Sequence, residues 1–230
     1  MKNQGENMIG FIVAMEKESK LFLENAIITE ESSIAGKRIV LGKYLDKDFV
    51  IAIAGIGKVN AALATQLVID KFAPEYIINF GVAGGKENSG LSAGDTVLLD
   101  KICQYDFDLS EIDNVNIGYM QDYDTTYYPT AYSRYKGNKL MIKTGATGDR
   151  FTRQKYWLDI IKSLKAEVVD MESGAIAQVC TANQTPFYSL KLISDVDGKD
   201  ESIFSQYANN VATICNKIPD AIKDLIENID

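Results

Sequence analysis

Histidine is absent from this 230-residue chain. The absence removes Ser-His-Asp and Cys-His catalysis, and with them every histidine-based metal centre. Acid–base chemistry must therefore run through Asp, Glu, Lys, Tyr or water. Cysteine is scarce as well. Cys103, Cys180 and Cys215 are odd in number and widely spaced, which argues against a disulfide framework. Each follows an apolar residue, so each is expected to be a buried free thiol, and none has the histidine partner of a nucleophile. Long hydrophobic runs are missing too. Stretches such as 11–15 are far too short to span a bilayer, and the polar extension 1–7 lacks a signal-peptide core. A cytoplasmic protein without a membrane partner is expected.

Basic charge is in short supply. Lys and Arg number 24 against 32 Asp and Glu, for a net charge of −8. Nucleic acid would be repelled unless a local basic patch existed, and Lys162, Lys165 and Lys217 are scattered among acids. The expected partner is a small neutral or zwitterionic molecule. No cofactor is implied.

What is present is ordinary globular chemistry, with 46% hydrophobic and 24% charged residues, enough for one domain over 1–230. Short apolar runs predict strands at 8–14, 37–44, 49–54, 76–80, 94–99, 139–144, 166–169 and 187–193. Helices are expected at 16–25, 58–72, 154–164 and 172–183, with a last one broken or kinked at Pro219. On 58–72, Val59, Ala62, Leu63 and Leu67 are expected to line one face. The strand 76–80 is expected to stop at a glycine-rich bend, 81–85. The stretch 104–136 holds seven tyrosines and one proline and reads as a long functional or mobile loop. Alternating strands and helices predict an α/β fold: three layers, α/β/α, around a mixed, largely parallel central sheet.

In such sheets ligands bind beyond the carboxyl ends of the strands. The residues there are 15–18, 55–58, 81–85, 148–151, 170–172 and 194–195. Each has a plainer reading. Gly55-Ile56-Gly57 lacks the third glycine of the dinucleotide fingerprint and reads as a tight turn. Glu172 reads as an acid at a helix N-terminus, Asp195 as a helix N-cap, and Glu18 as part of a solvated first turn.

Order along the chain separates these readings. Ala14-Met15-Glu16-Lys17-Glu18, Gly55-Ile56-Gly57-Lys58-Val59, Phe80-Gly81-Val82-Ala83-Gly84-Gly85, Asp170-Met171-Glu172 and Ile193-Ser194-Asp195-Val196 follow one another. Together they resemble the 5′-methylthioadenosine/S-adenosylhomocysteine nucleosidases of the purine nucleoside phosphorylase superfamily. The resemblance runs from about residue 8 to the C-terminus. It implies hydrolysis of 5′-substituted adenosines to adenine and a ribose derivative, in methionine salvage, by a homodimer without cofactor or metal. It implies that Glu18 activates water, that Asp195 protonates the purine N7, and that Glu172 grips the ribose hydroxyls. Met171 would pack on the sugar, Phe151 would stack on the base, and the Thr152 backbone would meet the base edge. Met15, Ile56, Val82, Ala83, Gly84 and Ser194 would line the pocket. Phe204 would close one side, and Leu109 would cover the 5′ group across the dimer.

The chemistry is coherent. Departure of the base makes the ribose cationic and loads the purine with negative charge, so a carboxylate and a protonated acid are what the transition state needs. Asp170 and Lys191 depart from the resemblance, which more often has Glu and Arg there, and 106–129 diverges further. A phosphorylase would want cationic and serine donors where 15–18 puts acids. A non-catalytic nucleoside-binding protein would be expected to have lost a carboxylate, and a nicotinamide-dependent oxidoreductase rests only on the incomplete glycine fingerprint.

Overall fold

The computed structural model describes residues 8–87, 89–151, 154–198 and 202–230. The alternation builds the expected α/β/α layers around one mixed sheet. At its middle lies β1 (Met8–Val13), buried beyond its first residue. A continuous apolar run suits a strand covered on both faces. β4 (Lys47–Ile53) and β5 (Tyr76–Gly85) flank it in parallel, and β10 (Phe187–Val196), buried at every position, runs parallel to β5. β3 (Lys37–Tyr44) forms an antiparallel hairpin with β4. β6 (Thr96–Gln104), β8 (Met141–Thr147) and β9 (Val168–Asp170) are parallel to one another. β6 meets β10 and β9 meets β5 in antiparallel fashion, so β5, β10, β6, β8 and β9 close into a ring.

Neighbouring side chains on a strand point to opposite faces. Phe11, Ile51 and Ile78 accordingly join a core with α1 (Glu16–Glu24) and, at the C-terminal end, α6 (Ile203–Cys215) and α7 (Ile218–Glu227). Ile12, Val50 and Ile77 join the opposite core with α2 (Lys58–Phe72) and α5 (Ser173–Ala182). α4 (Lys155–Ser163) packs a third cluster against β6 and β8. Among the described residues no helix is long and apolar enough to cross a membrane. All three cysteines are buried and free.

Three local expectations are corrected, and one strand that the sequence did not suggest is added. The glycine run 81–85 does not end β5; it is the last half of that strand, where missing side chains let other groups reach its backbone. β2 (Ile27–Ile34) has no apolar alternation, is nearly all exposed, and is held by its ladder to β3. On α2 the buried face is Ala61, Ala64, Thr65 and Val68, while Val59 is 79% and Leu63 45% exposed. Small residues win there because α2 packs on the alanine-rich α5. The stretch 104–136 is not structureless: it contains α3 (Ser110–Asp113), two short 3-10 turns and β7 (Tyr128–Pro129) paired to β6. Its tyrosines anchor it, for Tyr105, Tyr128 and Tyr135 are buried and the Tyr135 hydroxyl donates to Asp224 at 2.5 Å. Pro219 lies in the first turn of α7, where the missing N–H has no helical partner to lose.

Candidate active site

One cavity of about 390 Å³ opens where the strand ends converge. Met15 caps the start of α1 and α1 carries Glu18, the turn after β4 delivers Ile56, and β5 delivers Val82, Ala83 and Gly84. Arg150 and Phe151 follow β8, while Met171 and Glu172 follow β9. Ser194 and Asp195 come from β10, and Phe204 and Tyr207 come from α6. Of the expected site residues that are described, one is not brought there. Leu109 sits half-buried at the start of α3 and does not line the cavity. Thr152 lies outside the described residues.

Glu18 is not on a solvated helix turn. It is 2% exposed, because α1 turns Glu18, Ser19 and Phe22 inward together. Phe22 nests among Phe11, Phe49 and Phe80 with ring centroids 4.8–5.6 Å away. Burying such a ring contributes about 2–3 kcal/mol, which fixes the helix that carries Glu18. The carboxylate accepts from the Met15 N–H at 3.0 Å and the Val82 N–H at 2.9 Å. Burial raises its proton affinity, against the pull of the Val82 bond and of Lys191. A Cβ on Gly81 would stand 2.6 Å from Glu18 Oε1. Gly81→Ala is therefore expected to displace Glu18, to lower turnover about a hundredfold and to lower the unfolding free energy by the about 1–3 kcal/mol that overpacking costs. Steady-state kinetics and urea denaturation check this, and normal turnover would count against the packing argument.

Glu172 stands at the start of α5, but its side chain leaves that helix. Its Oε1 accepts from the Gly57 N–H at 2.8 Å, at the N-terminus of α2, while the Lys58 N–H donates to Asp149 at 2.8 Å. Carboxylates are stabilised at such free amide ends. Gly57 adopts φ +98°, a left-handed conformation that favours glycine, so this turn is built for the contact. Burial first, then the neighbouring Asp170, pushes the Glu172 carboxyl up to about 7.

Asp195 is within β10, not at a helix cap, next to a register shift against β5. It is 4% exposed and accepts from Ser194 Oγ at 2.6 Å. Burial raises its proton affinity, Ser194 opposes, and Asp197 adds to the rise. A side chain at Gly84 would come within 3.2 Å of its Oδ2. Beneath these groups Asp170 and Lys191 form an ion pair at 2.9 Å, both almost fully buried. Burial would raise the Asp170 carboxyl, but Lys191 and the Thr147 hydroxyl, 2.6 Å away, hold it below its usual range. Acids whose proton affinity is raised inside an apolar cavity can move protons near neutral pH. Among the described residues no three Cys, Asp or Glu side chains are grouped to hold a metal.

Comparison with known proteins narrows the chemistry. Residues 8–227 match the family model of the phosphorylase superfamily. A 5′-methylthioadenosine/S-adenosylhomocysteine nucleosidase of Marinomonas sp. (strain MWYL1) is 33% identical over 213 residues, covering 87% of this chain and 91% of that one. The chain belongs to this nucleosidase family. The nucleosidase of Neisseria meningitidis, solved with methylthio-immucillin-A, superposes with a TM-score of 0.84 at 26% identity, covering 96% and 99% of the two chains. The futalosine hydrolase of Helicobacter pylori superposes equally well, at 0.85 and 26% identity over 96% and 97%. The same fold therefore serves more than one nucleoside hydrolase, and the cavity's own residues must decide the substrate.

Some cavity residues of this nucleosidase escaped the sequence reading. Tyr207 lies three residues after Phe204, on the same helical side, and that spacing is a usable signal. Its hydroxyl accepts from Lys17 Nζ at 2.6 Å, and its ring meets Phe151 edge-on at 6.3 Å. Lys86 and Asp197 pair with each other at the cavity wall. They sit one residue past the ends of β5 and β10, beyond the stretches 81–85 and 194–195 that the sequence marks.

Proposed function

We propose that the chain hydrolyses the N-glycosidic bond of 5′-substituted adenosines, releasing adenine and the ribose derivative. Methylthioadenosine and S-adenosylhomocysteine are the expected substrates, with 5′-deoxyadenosine a further one. The observation that carries this reading is the convergence of three buried carboxyl groups, each with raised proton affinity, on one cavity. In this reading Glu18 takes the proton of the attacking water, Asp195 protonates the departing purine at N7, and Glu172 binds the ribose hydroxyls. Phe151 stacks on the base, Met171 packs on the sugar, and Phe204 closes the mouth. The absence of histidine supports the assignment, because among the described residues the other buried carboxyl at the cavity, Asp170, is held in its ionised form by Lys191 and Thr147.

The functional unit in this reading is a homodimer. Ile56, Val59 and Leu63 recur at helical spacing and are 51%, 79% and 45% exposed. Lys58 Nζ pairs with Asp106 at 2.6 Å, which ties the segment leading to Leu109 to that apolar side. Each chain then lends Leu109 to the 5′ end of the other's cavity. The setting is cytoplasmic methionine salvage.

Adenine release from methylthioadenosine tests the reaction. The expected rate is the same with and without inorganic phosphate, and the sugar product has a free reducing end. A strict need for phosphate, with a ribose 1-phosphate product, would replace hydrolysis by phosphorolysis.

A further inference from the structure

The Lys86–Asp197 ion pair lies where the proposed base would end. β5 and β10 are parallel, and past the register shift at Ser194 Asp195 lies opposite Gly84 and Val196 opposite Gly85. The Asp197 N–H donates to the Gly85 carbonyl at 3.1 Å, so the two strands leave the sheet together. Lys86 and Asp197 follow at once, their side chains only 16% and 20% exposed and both facing the cavity. Gly84 and Gly85 place no side chain between this pair and Asp195. Asp197 also accepts from the Glu87 N–H, which fixes its carboxylate.

On a purine, N7 and the 6-substituent share one edge. A base held with N7 at Asp195 therefore turns its 6-substituent toward the groups just beyond Asp195. A 6-amino group needs an acceptor there, which the Asp197 carboxylate supplies. A 6-oxo group needs a donor. An ammonium carries three N–H donors, and the pair with Asp197 uses one. We propose that the Lys86–Asp197 pair reads the 6-position of the base and admits 6-oxopurine nucleosides as a second substrate class. This rests on the functional reading above, specifically on N7 lying at Asp195. An apolar wall would leave the 6-oxygen buried without a partner, and sites discriminate strongly against a polar group left unpaired.

The test is the ratio of kcat/KM for 5′-methylthioinosine to that for 5′-methylthioadenosine. The wild-type protein is expected to cleave both, the inosine within about a hundredfold of the adenosine. Lys86→Met removes the donor and is expected to lower the ratio about tenfold or more. Asp197→Asn frees the ammonium, weakens the acceptor and is expected to raise the ratio. Both variants break the ion pair, so a purely structural role would move the ratio the same way in both. The same direction in both, no movement in either, or no cleavage of the inosine by a protein that cleaves the adenosine overturns the inference. No cleavage of either nucleoside by wild type removes the functional reading, and the inference with it.

Discussion

Asp195→Asn is expected to lower the rate of adenine release about a thousandfold or more, while the dissociation constant for methylthioadenosine stays within about tenfold. The two side chains have the same shape. Ser194 Oγ, 2.6 Å from Oδ1, can donate to the amide oxygen as it does to the carboxylate. Gly84 leaves the opposite side of residue 195 free of any side chain. The variant should therefore fold, bind and offer an N–H toward N7. What it cannot do is deliver a proton. An adenine anion is a poor leaving group, so loss of proton delivery falls on the chemical step rather than on binding. Single-turnover adenine release and equilibrium binding separate the two. The sign of the pH dependence follows from the same role. The acid must hold its proton to act, and burial raises its proton affinity, so turnover should fall as pH climbs through that raised pKa. The Asn variant should lose this alkaline limb. Turnover within tenfold of wild type would take Asp195 out of the proton-donating role.

How much of this was legible in the sequence depended on how much of the signal was local. Strand and helix alternation is written in the apolar runs, and so the layered fold is readable. β2 was not, because an exposed edge strand buries nothing and leaves no pattern in Ile-Ile-Thr-Glu-Glu-Ser-Ser-Ile. The face of α2 was misread for a related reason. Apolar periodicity marks a face that avoids water, not which partner covers it, and here alanines meet α5 while Val59 and Leu63 point outward. The glycines 81–85 looked like a turn because glycine is ambiguous: it serves bends, and it also serves strands that other groups must approach closely. Only three-dimensional packing shows Glu18 against Gly81 and Asp195 against Gly84. The three carboxylates were individually indistinguishable from helix-end acids. Their shared order along the chain singled them out; the groups that hold them lie far away in sequence, such as the Val82 N–H that donates to Glu18 and the Gly57 N–H that donates to Glu172.

The second large effect is expected from Lys191→Met. Lys191 stands on β10 opposite Gly81, the residue against which Glu18 packs, and its ammonium meets Asp170 at 2.9 Å. Removing one partner of a buried pair leaves the other charge unpaired, which costs about 3–5 kcal/mol. Urea denaturation at neutral pH should show that loss. Activity should move as well. Lys191 lowers the proton affinity of both Glu18 and Glu172, and burial already holds Glu172 at about 7. Without the ammonium both carboxyls keep their protons to higher pH. The proposed roles of water activation and stabilisation of a cationic ribose need the ionised forms, so the acidic limb of kcat/KM should shift upward. Lys191→Arg keeps the charge and should preserve both properties to a large degree. The double change Asp170→Asn with Lys191→Met should recover much of the stability, since no buried charge is then left alone. It should also bring the Glu172 part of the acidic limb back down, because Glu172 loses the neighbouring anion that raised its proton affinity along with the cation that lowered it, whereas Glu18 loses only the cation. A single variant with unchanged stability and an unchanged pH profile would mean that the ion pair neither holds the floor of the cavity nor sets the charge of its carboxylates.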